Sequence, residues 1–310
     1  MLREDKIIRE IGKLKKKRKA IILAHNYQLP EVQDIADYCG DSLELSRIAA
    51  KTSARVVVFC GVHFMAETAS ILCPRKKILL PDISAGCPMA DMITAKDLRR
   101  LKRVHPEAVV VAYVNTSAEV KAESDVCCTS ANAVAVVNAV AKDFAGSANK
   151  EIIFVPDRNL ADFVSRRTRK KLIAWEGYCP VHVKILPEDI KRVKKFHARA
   201  KIIVHPECLP KVTALASDIL STGQMCKFAR SNSPKEFIIG TEVGLIYRLK
   251  QDNPEKEFYP ATEKAVCPDM KRISLRAILC ALEELKFEVR VPGEIRRRAK
   301  KAIERMIKIV

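Results

Sequence analysis

No Cys-x-x-Cys pair occurs anywhere in this chain of 310 residues, although it holds 11 cysteines. That absence excludes a zinc ribbon and a thioredoxin-like redox pair. A disulfide framework belongs to oxidising compartments and small secreted chains, so most of these thiols read as buried apolar residues: Cys39, Cys60, Cys127, Cys128, Cys208, Cys226 and Cys280. Long apolar runs are lacking too. The longest, such as AVVVAYV, fall far short of the roughly 18 residues of a membrane span. The start, MLREDKIIREIGKLKKKRKA, has neither the apolar stretch nor the cleavage site of a signal peptide. The expectation is a cytoplasmic protein with no membrane partner. Aromatic residues are scarce at 5%, and none interleave with the basic clusters KLKKKRK (13–19), RRTRKK (166–171) and RRRAKKAIERMIK (296–308). The formal charge of +19 therefore reads as a solvated basic surface rather than a nucleic-acid face, and it favours anionic small substrates.

What is present is a threefold pattern. Cys87-Pro88, Cys179-Pro180 and Cys267-Pro268 recur at intervals of roughly ninety residues, the signature of an internal repeat that delivers one thiolate per copy. Cys73-Pro74 lies outside that spacing and reads as structural. Each repeat opens with a β-branched run: AIILAHN (20–26), AVVVAYVN (108–115) and KIIVHPE (201–207). An Asp follows (Asp37, Asp125, Asp218), then a hydroxyl (Ser42, Ser130, or the Ser221-Thr222 pair). Third strands are expected at 56–61, 152–157 and 237–242. Short strands alternating with helices imply parallel βαβ units with right-handed crossovers. The expected fold is α/β: three homologous three-layer αβα domains with parallel sheets, related by a pseudo-three-fold axis. Their expected bounds are 1–88 with an N-terminal helix, 89–180, and 181–310 with the C-terminal helices.

Ligand sites of such sheets lie beyond the carboxyl ends of the strands. His25, Tyr27, Tyr113, Asn115, His205 and Glu207 all fall there. Successive strand positions point oppositely, so positions 205 and 207 share a face, and a histidine and a carboxylate there can exchange protons. Ser42, Ser130 and Thr222 read as N-caps of the helices that follow. A helix N-terminus also suits an anion, and three of them could hold a ligand with several carboxylates or a phosphate. Three soft thiolates without a fourth favour an iron–sulfur cluster over structural zinc. A [4Fe–4S] cube held this way leaves one iron open as a Lewis acid. His182, in CPVH, stands either as a fourth ligand or as a substrate contact.

Seven motifs in order, AHNYQLPEVQDIADYCGDS (24–42), GCPMADM (86–92), YVNTSAEVKAESD (113–125), CPVH (179–182), HPEC (205–208), STGQM (221–225) and CPDM (267–270), resemble quinolinate synthase over nearly the whole chain. The resemblance implies a transferase of de novo NAD synthesis. It would condense iminoaspartate with dihydroxyacetone phosphate to quinolinate, releasing phosphate and two waters, around one [4Fe–4S] cluster. Carried over residue by residue, the cluster ligands are Cys87, Cys179 and Cys267. The substrate contacts are His25, Ser42, Tyr113, Asn115, Ser130, His182, His205, Glu207 and Thr222, and proton transfer falls to Tyr27, Glu207 and His205. Some bacterial members end on a C-x-x-C-x-x-C-P run; here Ala261 and Lys264 occupy the two upstream positions, so redox switching through those thiols is not available. The partners implied are the two small molecules, with functional coupling to an L-aspartate oxidase or dehydrogenase. A homodimer is left open. Two other enzymes share the three-domain, three-cysteine plan: the radical enzyme of diphthamide synthesis and the terminal reductase of the non-mevalonate isoprenoid route. HNYQ and CPVH separate this chain from both. A basic metal-binding nucleic-acid module would leave His25, Asn115 and Glu207 unexplained.

Overall fold

A computed structural model describes residues 2–143 and 151–309. The chain first runs α1 (Leu2–Arg18), β1 (Ala20–His25), α2 (Pro30–Ile35), β2 (Tyr38–Gly40), α3 (Ser42–Lys51), β3 (Val56–Cys60), α4 (His63–Leu72) and β4 (Lys77–Leu79). The pattern recurs as α5 (Ala95–Val104), β5 (Val109–Tyr113), α6 (Ala118–Ala122), β6 (Val126–Cys128), α7 (Ala133–Asp143), β7 (Ile152–Val155), α8 (Arg158–Thr168) and β8 (Leu172–Ala174). A third pass gives α9 (Pro187–Phe196), β9 (Lys201–Val204), α10 (Pro210–Thr213), β10 (Asp218–Ile219), α11 (Thr222–Ser231), β11 (Glu236–Gly240), α12 (Gly244–Asp252) and β12 (Glu257–Pro260). Helices α13 (Leu275–Glu284) and α14 (Gly293–Lys308) complete it.

Each pass makes one four-stranded, all-parallel sheet, and the three share a single strand order: β2-β1-β3-β4, β6-β5-β7-β8 and β10-β9-β11-β12. Parallel neighbours require crossover helices, which cover the sheet faces and explain why the central strands read as unbroken apolar runs. All five residues of β3 and all four of β7 are buried. The expected three-layer α/β class is what the chain adopts.

The repeated aspartates have a backbone role. Asp37 Oδ2 accepts from Ile22 N at 2.7 Å, and Asp125 Oδ2 accepts from Val110 N at 2.8 Å. Each ties the approach to the second strand onto the first. In the third repeat Ser217 N donates to Ile202 O at 2.8 Å, so the register-matched residue is Ser217 and the aspartate is displaced by one.

The chain forms two compact units. One contains the first sheet and consists of Met1–Cys87 with Cys267–Pro292; the other contains the second and third sheets and consists of Pro88–Val266 with Gly293–Val310. Sequence order groups both C-terminal helices with the third repeat; α13 belongs to the first unit and α14 to the second. In the first unit α13 lies against α1 and β3, as α9 lies against β11 in the second. The segment after α13 lines the edge of the first sheet: Leu80 N donates to Phe287 O at 3.0 Å and Val289 N to Ile78 O at 2.9 Å. An open parallel edge is an aggregation template, and this segment covers it. In the second unit α14 packs on α6 and β6. Arg298 and Arg99 both reach Glu123 Oε1, at 3.0 and 2.9 Å, and Asn132 Nδ2 donates to Met306 O and Ile309 O, each at 3.1 Å. Among the described residues, no helix is long and apolar enough to cross a membrane.

Candidate active site

The three Cys-Pro loops are built alike. Each follows the fourth strand of its sheet, and the carbonyl two residues before the cysteine accepts from an N–H at the start of a helix. The pairs are His63 N to Ala85 O at 2.8 Å, Arg158 N to Gly177 O at 2.8 Å, and Val243 N to Ala265 O at 3.0 Å. A short 3-10 turn begins three residues after each cysteine, at Ala90–Met92, His182–Lys184 and Met270–Arg272. The next helix then starts behind Thr94, Leu186 or Ser274. In the second loop a Cβ at Gly177 would stand 2.4 Å from Pro156 O, so only glycine permits the approach.

Cys87, Cys179 and Cys267 are half-buried, whereas Cys60, Cys127, Cys128 and Cys208 are buried. Burial pushes the thiols of Cys60, Cys128 and Cys208 well up, and that of Cys127 up to about 12, which makes them unreactive. Cys73 ends α4 and donates its thiol to Ala49 O at 3.1 Å. Cys87 and Cys267 fall in the first unit, Cys179 in the second.

In the second unit a polar cluster surrounds Glu207. His182 Nδ1 lies 2.7 Å from Glu207 Oε2 and 3.2 Å from Cys179 Sγ, while its Nε2 lies 2.9 Å from Thr241 Oγ1. Tyr113 Oη donates to Glu207 Oε1 at 2.6 Å. The His205 ring stacks on that of His182, with centroids 4.6 Å apart, and its Nε2 lies 3.1 Å from Ser130 Oγ. Glu207 is 3% exposed and His182 1%. Cys179, His182 and Glu207 offer atoms within 4.8 Å of one another, a group able to ligate a metal. The structure thus brings together six residues singled out in the sequence: Tyr113, Ser130, Cys179, His182, His205 and Glu207.

Burial would raise the Glu207 pKa, but His182, His205 and the Tyr113 hydrogen bond outweigh it and lower it to about 2. Glu207 is an ionised carboxylate in a dry site. Asp157, buried nearby, goes the other way: burial and then the charge of Glu207 push its carboxyl well up, against the backbone N–H groups it accepts. It still anchors the loop, accepting from Cys179 N at 3.1 Å and from Leu160 N at 2.7 Å.

Glu207 meets His205 by a different route from strand alternation. Strand β9 ends at Val204, and a turn closed by Cys208 N donating to His205 O at 3.0 Å carries Glu207 beside the imidazole. Pro206 pre-sets that turn. In the first unit Gln28 N donates to His25 O at 3.0 Å and places Tyr27 in the corresponding position, its ring edge-on to His25 with centroids 4.6 Å apart. Lys271 Nζ donates to Tyr27 O, and Gln28 Nε2 reaches Met270 Sδ at 3.6 Å, so this turn is tied to the segment just after Cys267. The buried Gln28 Oε1 has no hydrogen-bond partner. The second repeat carries Asn115 at this point, and its buried Oδ1 likewise has no hydrogen-bond partner. A bound ligand would satisfy such an atom.

The hydroxyls are not the caps. Asp41 caps α3 in a box with Glu44, and Ser221 caps α11 in a box with Gln224. At the start of α7 the same exchange is made by Thr129 N, which donates to Asn132 Oδ1 at 2.9 Å. Ser42 and Thr222 each stand one residue inside, and Ser130 follows Thr129 ahead of α7, so their hydroxyls are not the ones spent on capping. Gln224 Nε2 donates to Ala131 O at 3.2 Å, which holds the start of α11 against the Ser130 loop. The signature S/T/D-x-x-E/Q/N was readable at 41–44, 129–132 and 221–224.

Three residues of the cluster escaped sequence reasoning: Thr241, Asp157 and Asn159, whose Nδ2 donates to Glu207 O at 3.2 Å. The strand-end rule pointed to the first two, since Thr241 follows β11 and Asp157 closely follows β7. Chemically, the cluster sets a buried carboxylate, two imidazoles and a phenol, groups able to exchange protons, beside the Cys179 thiol, with the Ser130 hydroxyl against His205.

Comparison with known proteins bears on this arrangement. The sequence profile of the family described as Quinolinate synthetase A protein matches residues 9–308. The chain is similar to the quinolinate synthase of Dehalococcoides mccartyi (strain CBDB1), 57% identical over 304 residues, covering 98% of each chain. It is likewise similar to the quinolinate synthase of Thermodesulfovibrio yellowstonii, at 54% over 307 residues, and to that of Methanosarcina barkeri, at 53% over 308, each covering 99% of both chains.

Proposed function

Because the chain belongs to the quinolinate synthetase A protein family, we propose that it condenses iminoaspartate with dihydroxyacetone phosphate, giving quinolinate, one phosphate and two waters. The observation that carries this reading is the buried, ionised Glu207 between two imidazoles and the Tyr113 hydroxyl, beside Cys179. Losing phosphate and two waters while closing an aromatic ring demands repeated proton transfers at a site that excludes bulk water.

Cys87, Cys179 and Cys267 would hold the [4Fe–4S] cluster. Support comes from the donor chemistry: three half-buried thiols, each presented by a loop pinned through the same backbone bond. When bound, the cluster supplies a Lewis-acidic iron with an open position. The pseudo-three-fold relation and the bounds 1–88, 89–180 and 181–310 belong to this proposal as well, supported by three sheets of identical strand order.

The protein's own groups divide the remaining work. Glu207 takes up a proton, with His182 and His205 stabilising its charge, and Tyr113 Oη returns one. Tyr27 serves as the second acid–base group from the first unit. Ser42, Ser130 and Thr222, at helix N-termini, anchor carboxylate or phosphate oxygens. His25 and Asn115 complete the substrate contacts, and Asn115 Oδ1 accepts from the substrate amine. The reaction belongs to NAD biosynthesis in the cytoplasm, with iminoaspartate supplied by an L-aspartate oxidase or dehydrogenase.

Anaerobic purification followed by assay with both substrates tests the reading. A brown protein with about four irons per chain that forms quinolinate supports it. An iron-loaded protein that forms none overturns it.

A further inference from the structure

Three different donor types meet within the second unit: the Cys179 thiol, the His182 imidazole and the Glu207 carboxylate. His182 Nδ1 stands 3.2 Å from Cys179 Sγ and 2.7 Å from Glu207 Oε2, and all three donor atoms lie within 4.8 Å of one another. A tetrahedral zinc ion, with bonds of about 2.0–2.3 Å, needs its donors about 3.3–3.8 Å apart. The sulfur–nitrogen spacing is nearly right already. The imidazole and carboxylate would have to part by only about half an ångström to admit the ion. A mixed sulfur, nitrogen and oxygen set suits a borderline cation of the zinc class better than a hard one such as magnesium or calcium.

The groups behind these donors aim them. His182 Nε2 is held by Thr241 Oγ1 at 2.9 Å, which turns Nδ1 toward Cys179 and Glu207. Tyr113 Oη donates to Glu207 Oε1 at 2.6 Å, while Oε2 is the oxygen that faces the imidazole. Asp157 Oδ2 accepts from Cys179 N at 3.1 Å and fixes the loop that carries the thiol. Outer partners of this kind orient the ligands of protein metal sites. The set also forms on one loop alone, because the other two Cys-Pro loops carry Ala90 and Met270 three residues after their cysteines, where this one has His182. It is complete inside the second unit, whereas the thiols proposed for the iron–sulfur cluster come from both units.

We propose that the cluster-free protein binds a single divalent cation of the zinc class through Cys179 Sγ, His182 Nδ1 and Glu207 Oε2, with water in the fourth position, and that this ion competes with cluster assembly. Binding exchanges the thiol proton and the proton between His182 and Glu207 for the ion, and no electrons move. The ion withholds Cys179 from iron and Glu207 from proton transfer, so the site is inhibitory. The competition rests on the functional reading above, in which Cys179 is a cluster ligand; the ligand set does not.

The full-length protein, freed of iron under anaerobic conditions, is titrated with zinc by calorimetry and with cobalt(II) by absorption. Wild type should take up a single ion per chain, and cobalt should show a thiolate charge-transfer band with the strong d–d bands of a four-coordinate ion. Cys179→Ala, His182→Ala and Glu207→Gln should each lower zinc affinity by about a hundredfold, and Thr241→Val by about tenfold. Cys87→Ala and Cys267→Ala should bind as wild type does. X-ray absorption of the zinc-loaded wild type should count one sulfur among nitrogen and oxygen ligands, a readout that stands even where a variant fails to fold. Zinc added before iron and sulfide should suppress iron uptake, and removing it with a chelator should restore it. No zinc binding by wild type, or unchanged binding in both His182→Ala and Glu207→Gln, overturns the proposal. Three sulfurs around the ion, or an equal loss in Cys87→Ala and Cys267→Ala, places the ion on the cluster thiols and overturns it too. If the ligand set holds but zinc-loaded protein takes up iron normally, the competition fails, and with it the place of Cys179 in the functional reading.

Discussion

The turn at His25–Gln28 and the turn at His205–Cys208 are the same piece of backbone carrying different chemistry. Each is closed by an i to i+3 bond of 3.0 Å, and in each the histidine Nδ1 accepts from the N–H two residues on, at 3.2 Å from Tyr27 and 3.4 Å from Glu207. Each stands at the carboxyl end of the first strand of its sheet, and each enters its next helix through Leu-Pro. The difference lies in one side chain: a phenol in one turn, and a carboxylate held ionised in the other. Duplication has kept the frame and exchanged the titrating group, so the repeats multiply positions rather than copies of one reaction step.

The comparison breaks most severely if the two turns serve separate sites. Cys267 lies next to the segment that ties down the Tyr27 turn, and Cys179 beside the cluster of Glu207. If one cluster serves both, Cys267→Ala and Cys179→Ala will each reduce iron to background and abolish quinolinate formation. Retention of full iron in either variant, measured after anaerobic reconstitution, contradicts a shared cluster. Cys60→Ala, by contrast, should keep both iron and activity.

Next in size is Glu207→Gln, expected to lower kcat by about 10²–10⁴-fold with iron unchanged. Normal turnover would remove the acid–base role. Tyr27→Phe keeps the ring edge against His25 and deletes only the hydroxyl. A loss of about 10–10²-fold is expected. Equal losses in the two variants would make the turns interchangeable after all.

The smallest effect separates cap from ligand. Ser221→Ala should cost about 1 kcal/mol of stability, read from denaturant unfolding, with KM little changed. Thr222→Val should do the reverse, raising KM at nearly constant stability. A common response of the two would show that the hydroxyls at helix starts have no separate ligand role.

Much of this frame was legible. Strands such as VVVFC and IIFV are β-branched, short and buried on both faces, so their pattern survives any detail of packing. The Cys-Pro spacing was legible for the same reason, since it follows from a repeated fold. What escaped was decided by single hydrogen bonds. Asp41 and Ser221 took the caps because a side chain at N3 completes their box, moving each expected hydroxyl one place inward. Glu207 met His205 through a turn because Pro206 supplies no N–H with which to extend the strand. The destinations of α13 and α14 were illegible, because nothing in chain order says which sheet a trailing helix will join.

The interrupted first unit also has a consequence in time. Its two parts, ending at Cys87 and resuming at Cys267, are separated by about 180 residues, which a ribosome adding about 5–20 residues per second takes roughly ten to forty seconds to make. Throughout that interval the nascent chain carries α1 without α13, and an edge at β4 without the segment that covers it. The second sheet can close before the first unit is finished. A protein assembled in that order depends most on protection during its own synthesis, in the part that emerged first.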